Sequence, residues 1–253
     1  MSLYYILLAI LGLVIGSFLN VVIFRIDDLK SILNTRSRCN KCKQVIKWYD
    51  LVPLLSFVLL KGSCRNCNSK LSWQYPIVEA SVALLFLFLT YCFGVSYNLL
   101  FYAVFFSIMV VIFVYDLKTQ FVPEYFAWAG LVLAVLGGWF FGHNASFLNM
   151  LFGLIIGGGF IGLMVLVSKE KWMGAGDIKI AAALGALVGY PNVILFIFLS
   201  FVLGSLVGLA IILMKRKTIK DSIPFAPFLI LSSLITIVWG TTIINWYLGL
   251  VSF

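Results

Sequence analysis

Trp172-Met-Gly-Ala-Gly-Asp-Ile-Lys179 lies between two long apolar runs and sets a carboxylate, Asp177, at the start of the second. Glycine tolerates backbone conformations that a side chain forbids, so Gly174 and Gly176 predict a tight turn there. The chain has only 9 acids among 253 residues, so a carboxylate at the edge of an apolar run has to be accounted for.

The runs on either side settle the fold class. The chain is 63% hydrophobic and 11% charged, whereas a soluble domain is about 25% charged. Apolar segments of about 20 residues, each able to cross about 30 Å of hydrocarbon as a helix, recur along its length. The expected fold is an all-α polytopic membrane protein with about eight transmembrane helices. They begin near Leu3, Pro76, Leu99, Glu124, Phe147, Asp177, Asn192 and Phe225. Met1-Ser-Leu-Tyr-Tyr5 has no basic region and no small-residue cleavage site, so the first span reads as a retained anchor rather than a signal peptide. Residues 1–98 form an N-terminal region: two spans flanking a polar loop, 25–75. Residues 99–253 form a six-span region.

Charge orients this arrangement. Eight spans alternate the loops, and all 18 Lys and Arg then fall on one side, 17 in its loops and Lys179 at that end of the sixth span. The positive-inside rule makes that side cytoplasmic and puts both termini outside. The net charge of +9 is thereby explained by topology, and no nucleic-acid partner is expected. The sixth segment is short but is read as a span, because a re-entrant one would place Lys215–Lys220 outside.

The polar loop holds Cys39-x-x-Cys42 and Cys64-x-x-Cys67. Two C-x2-C pairs at such a separation read as a structural zinc site of four thiolates in a ribbon-like loop. A reducing cytoplasm disfavours disulfides there. Cys92 reads as a small core residue, and His143 as a solvated loop residue.

Most of the acids are solvated or lie among lysines and arginines. Glu79, Asp116, Glu124 and Asp177 stand at span boundaries, where an ionisable group is costly and is a functional candidate by default. The topology puts Asp116 and Asp177 at one depth on one side. Two carboxylates sharing a proton can hydrolyse a peptide, one activating water and the other protonating the leaving group. Asp177 begins a helix and Asp116 ends one, so the helix dipoles predict Asp177 as the resting base and Asp116 as the resting acid. Ala181, Gly185 and Gly189 follow Asp177 at four-residue steps, a small face that should admit the third span. A proton-coupled transporter using the same two acids is the alternative, although transporters hold their acids near midplane and carry internal repeats.

Taken together, the residues resemble the bacterial type IV prepilin peptidases, GxGD-type membrane aspartic proteases. The likeness spans nearly the whole chain. It rests on Gly16-Ser-Phe-Leu-Asn-Val-Val22, the two cysteine pairs with Trp48-Tyr-Asp50 and Pro53-Leu-Leu-Ser56 between them, and Tyr75-Pro-Ile-Val-Glu79. It continues through Asp116, Val122-Pro-Glu124, Gly174-Ala-Gly-Asp-Ile-Lys179 and Pro224-Phe-Ala-Pro-Phe-Leu229. The resemblance implies cleavage of the basic leader of prepilins or pseudopilins at the cytoplasmic face of the inner membrane, with Asp116 and Asp177 catalytic. It also implies N-methylation of the new N-terminus with S-adenosylmethionine, for which the sequence offers no glycine fingerprint and no identifiable binding residues. Gly174, Gly176, Lys179, Glu79, Glu124, Pro224 and Pro227 are expected to support the active site. The family often has Ile-Pro-Asp where this chain has Val122-Pro-Glu124, and glycine where Ala175 or Ala226 stands.

Overall fold

In a computed structural model, residues 2–39, 41–141, 146–214 and 223–251 are described. His143, Asp221 and the basic stretch Lys215–Lys220 lie outside them. The elements are α1 (Ser2–Phe24), α2 (Leu29–Asn34), α3 (Leu55–Leu59), α4 (Gln74–Phe93), α5 (Tyr97–Thr119), α6 (Glu124–Phe141), α7 (Phe147–Ser168), α8 (Ala175–Val188), α9 (Asn192–Leu213) and α10 (Ala226–Val251). Among the described residues, seven helices are long and apolar enough to cross a membrane: α1, α4, α5, α6, α7, α9 and α10. Each coincides with an apolar run in the sequence, and the protein is a multi-pass membrane protein. The chain divides into two compact units, Met1–Val111 and Ile112–Phe253.

In the first unit α1 packs along α4. A Cβ on Gly12 would meet the Ala83 Cα at 2.7 Å, and one on Gly16 would meet the Glu79 Cα at 2.8 Å. The two glycines, four residues apart, therefore let the backbones touch, as their spacing predicts. Asn20, fully buried, ties the same pair of helices at the loop end. Its amide donates to the Tyr75 carbonyl at 3.2 Å and accepts from Gln74 Nε2 at 3.1 Å. Within the apolar stretch Leu51–Leu60 only Leu55–Leu59 form a helix, α3, whose Leu55, Val58 and Leu59 are exposed. This is the surface of an interfacial segment rather than of a core one.

The second unit is built around α8. This helix has 14 residues, about 21 Å at about 1.5 Å per residue, too short to span a bilayer unaided. Every residue from Ile180 to Val188 is buried. Its small face is used, but the occupant is α7, not α5 as the sequence reading expects. Gly153 and Gly157 of α7 sit directly on the backbone of Gly185 and Ala181, with no room for a Cβ at Gly153, Gly157 or Gly185. The reason is complementarity: α7 carries its own glycines at four-residue spacing, and two such faces allow the closest approach.

The same contacts give α8 its direction and depth. Gly162 of α7 lies by Ile178, Gly158 by Ala182 and Gly153 by Gly185. The Tyr190 N–H then reaches the Asn149 carbonyl at 3.0 Å. The short helix thus runs antiparallel to α7, and the residues just after it reach the start of α7. It begins about three residues inside the other end of α7, roughly 5 Å down. It runs in the direction that alternation with its neighbours requires, and is short because it stops inside both ends of α7.

Candidate active site

The recessed start of α8 brings Asp177 inside the second unit, where it is 6% exposed. Its Oδ2 accepts from the Gly174 N–H at 3.3 Å, a third-position acid reaching back to its own N-cap. Asp116 lies one turn inside the end of α5 and is 3% exposed. The two carboxylates are close enough to repel each other directly. The Ala226 N–H, at the first residue of α10, is directed at Asp116, while Asp116 Oδ2 is buried with no protein partner.

This geometry changes the ranking drawn from helix ends. Asp116 does end α5, but it also faces the N-terminus of α10. Each acid therefore has one positive helix terminus, and the dipole argument no longer separates a resting base from a resting acid. Pro224 and Pro227 flank Ala226 and start α10 in the positions proline tolerates, which aims the N–H of Ala226.

The two glycines serve differently from the expectation of a tight turn. Gly174 has an ordinary extended conformation, φ −81° and ψ 154°, and open space where a Cβ would be. The turn is made upstream, by Lys169 and Glu170 at φ 50° and 62°. Gly176 matters through proximity: its Cβ would lie 2.5 Å from the Val122 Cβ. Val122 is in the link between α5 and α6, so the missing side chain lets that link rest on the start of α8. Substituting Gly176 by Ala is expected to cost about 1–3 kcal/mol of stability by overpacking. Peptidase activity should fall about tenfold or more as the Val122-Pro123-Glu124 link shifts. Gly174→Ala keeps its N–H and should be tolerated. Thermal unfolding and cleavage rates of the two variants provide the check.

Glu124 does not join the acid pair. It is exposed and accepts from Lys179 Nζ at 2.7 Å, and the same ammonium lies 5.0 Å above the Trp128 ring. The three residues clamp the start of α6 to the first turn of α8. Trp128 was invisible as a partner because nothing in the pattern aligns α6 with Lys179.

Glu79 belongs to the first unit. Its Oε2 accepts from the Leu54 N–H at 2.8 Å, and Ser17 is its other partner. The motifs Gly16–Val22, Pro53–Ser56 and Tyr75–Glu79 thus converge at one carboxylate. Ser17, Asn20 and Leu54 went unassigned from the sequence, since their only signal is membership of those motifs.

The four cysteines do converge. The Sγ atoms of Cys39, Cys42, Cys64 and Cys67 all lie within 4.8 Å of one another. Two matching knuckles hold them. In each, the residue after the second cysteine has positive φ, Lys43 at 60° and Asn68 at 53°. Each is closed by an antiparallel bridge, Arg38 with Val45 and Ser63 with Lys70. Thiolates bound to one tetrahedral ion at about 2.3 Å stand about 3.8 Å apart, and Cys39 and Cys67 are 3.8 Å apart. The N–H groups of Cys42 and Lys41, with the Ser69 hydroxyl, lower the Cys39 thiol to about 6. The cluster can therefore bind a metal ion. Beside it, Asp50 pairs with Arg65 at 2.6 Å, and this guanidinium holds the carboxyl below its usual range.

Comparison with known proteins divides the chain in a similar way. Residues 10–93 match the model of the bacterial peptidase A24 N-terminal domain, and residues 103–209 that of the type IV leader peptidase family. A "Prepilin leader peptidase/N-methyltransferase" of Legionella pneumophila is 31% identical over 97% of this chain and 94% of its own. Proteins of that name from Aeromonas salmonicida and Bacillus subtilis are each 30% identical, over 98% and 96% of this chain and 94% and 97% of theirs. No solved structure matches.

Proposed function

Since this chain belongs to the prepilin leader peptidase/N-methyltransferase family, we propose that it cleaves the basic leader from prepilins or pseudopilins through Asp116 and Asp177 and then N-methylates the exposed N-terminus. The observation that carries the peptidase reading is the pair itself. Two buried carboxylates lie in mutual electrostatic reach, one with an oxygen that has no protein partner. Like charges so placed favour one shared proton. The ionised member takes a proton from a water held between them, and that water attacks the scissile carbonyl. The protonated member hydrogen-bonds the carbonyl oxygen and then protonates the leaving amine. The amide directed at Asp116 and the Gly174 N–H at Asp177 hold both carboxylates in place. Lys179, Glu124 and Gly176 act one step away, by fixing the links that carry the acids.

Cys39, Cys42, Cys64 and Cys67 hold structural zinc, whose four thiolates leave no open position for substrate. S-adenosylmethionine supplies an electrophilic methyl group for the second reaction. The excess of Lys and Arg supports a cytoplasmic location for both the loop and the acid pair, with the termini outside.

The test is direct. Detergent-solubilised protein is mixed with a prepilin, with and without S-adenosylmethionine, and the product N-terminus is weighed. Loss of the leader, and a further gain of one methyl group with the donor, is the expected result. An intact prepilin, together with proton-dependent solute uptake into proteoliposomes, would establish the transporter reading instead.

A further inference from the structure

The first unit contains a cavity of about 460 Å³, within the size range of small-molecule sites. It lies between the four-cysteine loop and the α1–α4 pair. Phe24, Phe57 and Tyr75 give it aromatic walls, and Arg38 and Lys70 give it positive charge on the loop side. Arg25, Lys41 and Asp50 line it too, as does Glu79, only 6% exposed. Among the described residues this carboxylate has no cationic partner within ion-pair distance.

The way Glu79 is held is unusual. Its partner, the Leu54 N–H, belongs to a γ-turn in which the Leu55 N–H returns to the Pro53 carbonyl at 2.6 Å. Leu54 at its centre has φ 58° and ψ −50°, the strained form of this turn. Strain of this kind persists where surrounding structure imposes it, and it gathers at functional sites. One oxygen of Glu79 is thus fixed by a strained loop while the side chain faces a cavity.

Resting on the function proposed above, we infer that this cavity is the methyl-transfer site, and that Glu79 is its catalytic base, binding the N-terminal ammonium of the cleaved pilin. The charge movement of the reaction decides which end the carboxylate serves. The ammonium gives a proton to Glu79. The amine lone pair then forms the N–C bond to the methyl group while the S–C bond breaks, leaving its electrons on sulfur. Positive charge passes from sulfur to nitrogen. At the nitrogen a carboxylate is needed first, to take the ammonium proton and free the lone pair, and it is neutral during the transfer itself, whereas one at the sulfonium would hold the reactant back. The proton leaves Glu79 to water as the secondary ammonium departs. The aromatic walls and the Arg38–Lys70 side fit the other features of the donor, an adenine ring and an amino-acid carboxylate. Residues 10–93 match a family model separate from the leader peptidase model that covers both aspartates, in keeping with a second site.

The experiment uses the full-length zinc-loaded protein and pilin already freed of its leader, so that methyl transfer is scored without cleavage. Glu79→Gln keeps an acceptor for the Leu54 N–H. It is expected to lower the methylation rate at least 50-fold, while donor binding, followed by calorimetry with S-adenosylmethionine, changes less than threefold. Photo-crosslinking of radiolabelled S-adenosylmethionine should label peptides containing Phe24, Phe57 or Tyr75. Phe57→Ala should weaken donor binding at least fivefold. Labelling confined to residues 112–253, or a Glu79→Gln protein that methylates at the normal rate, would overturn the inference. Wild-type protein that neither cleaves prepilin nor methylates the freed pilin would instead overturn the function on which it rests.

Discussion

Asp116→Asn is expected to lower prepilin cleavage by about 10³–10⁴-fold, the scale of a lost general acid or base. Asp177→Asn should match it. In the proposed mechanism the two acids hold one proton between them, and neither amide can take over the exchange. The double variant should therefore be hardly worse than either single one, because residues acting as a unit are strongly non-additive. Similar losses are expected because each acid faces one helix N-terminus, the Ala226 N–H for Asp116 and the Gly174 N–H for Asp177. Stability should move the other way. The native state buries two carboxylates that repel each other, one with an unpartnered oxygen, and an amide removes that repulsion. The thermal midpoint of each variant should equal or exceed that of the parent. A midpoint that falls with activity would mark these acids as structural, and retained cleavage would remove the mechanism. Rates by mass spectrometry and unfolding in one detergent are sufficient.

The helices were legible because a membrane imposes its own pattern. Seven apolar runs match seven helices to within a few residues. Asp116 and Asp177 stood out for a related reason, that acids are scarce where hydrocarbon makes them costly. The cysteine cluster followed from C-x2-C spacing alone. Helix pairing was harder. Ala181, Gly185 and Gly189 announced a close neighbour without naming it, and the answer lay in Gly153 and Gly157, unremarkable until the two faces are set together. Gly174 and Gly176 look alike in sequence, yet only Gly176 has a neighbour, Val122, in the place of its side chain. Periodicity describes one helix at a time, so contacts between helices escape it. The γ-turn at Leu54 is invisible for another reason. It runs against local preference and exists only because Glu79 and the folded loop impose it.

Removing the zinc ion proposed for the four cysteines should have the second large effect, confined at first to the loop. Among the described residues the segment containing the cysteines has little regular structure to hold it, two isolated bridges, a short 3-10 turn at Trp48–Leu51 and the five-residue α3, beside the Asp50–Arg65 pair and the Leu54–Glu79 bond. Binding of a structural zinc ion is worth about 10–16 kcal/mol in small domains, and there it is essentially the folding energy. Chelation, or Cys39→Ser with Cys64→Ser, should therefore unfold residues of about 36–72 while leaving α1 and α4 packed through Gly12 and Gly16. One zinc per chain should be lost, and hydrogen exchange should rise across the two knuckles but not in α7 or α8. The γ-turn at Leu54 lies within that segment, so Glu79 loses its Leu54 partner at the same time. Methylation should therefore fall to background. The acid pair is held by α5, α8 and α10, none of which depends on the cysteines, so cleavage of prepilin should keep most of its rate. If cleavage and methylation vanish together on chelation, the loop also serves the peptidase, for instance by guiding the leader. Full methylation by a zinc-free protein would mean that the knuckles fold without metal.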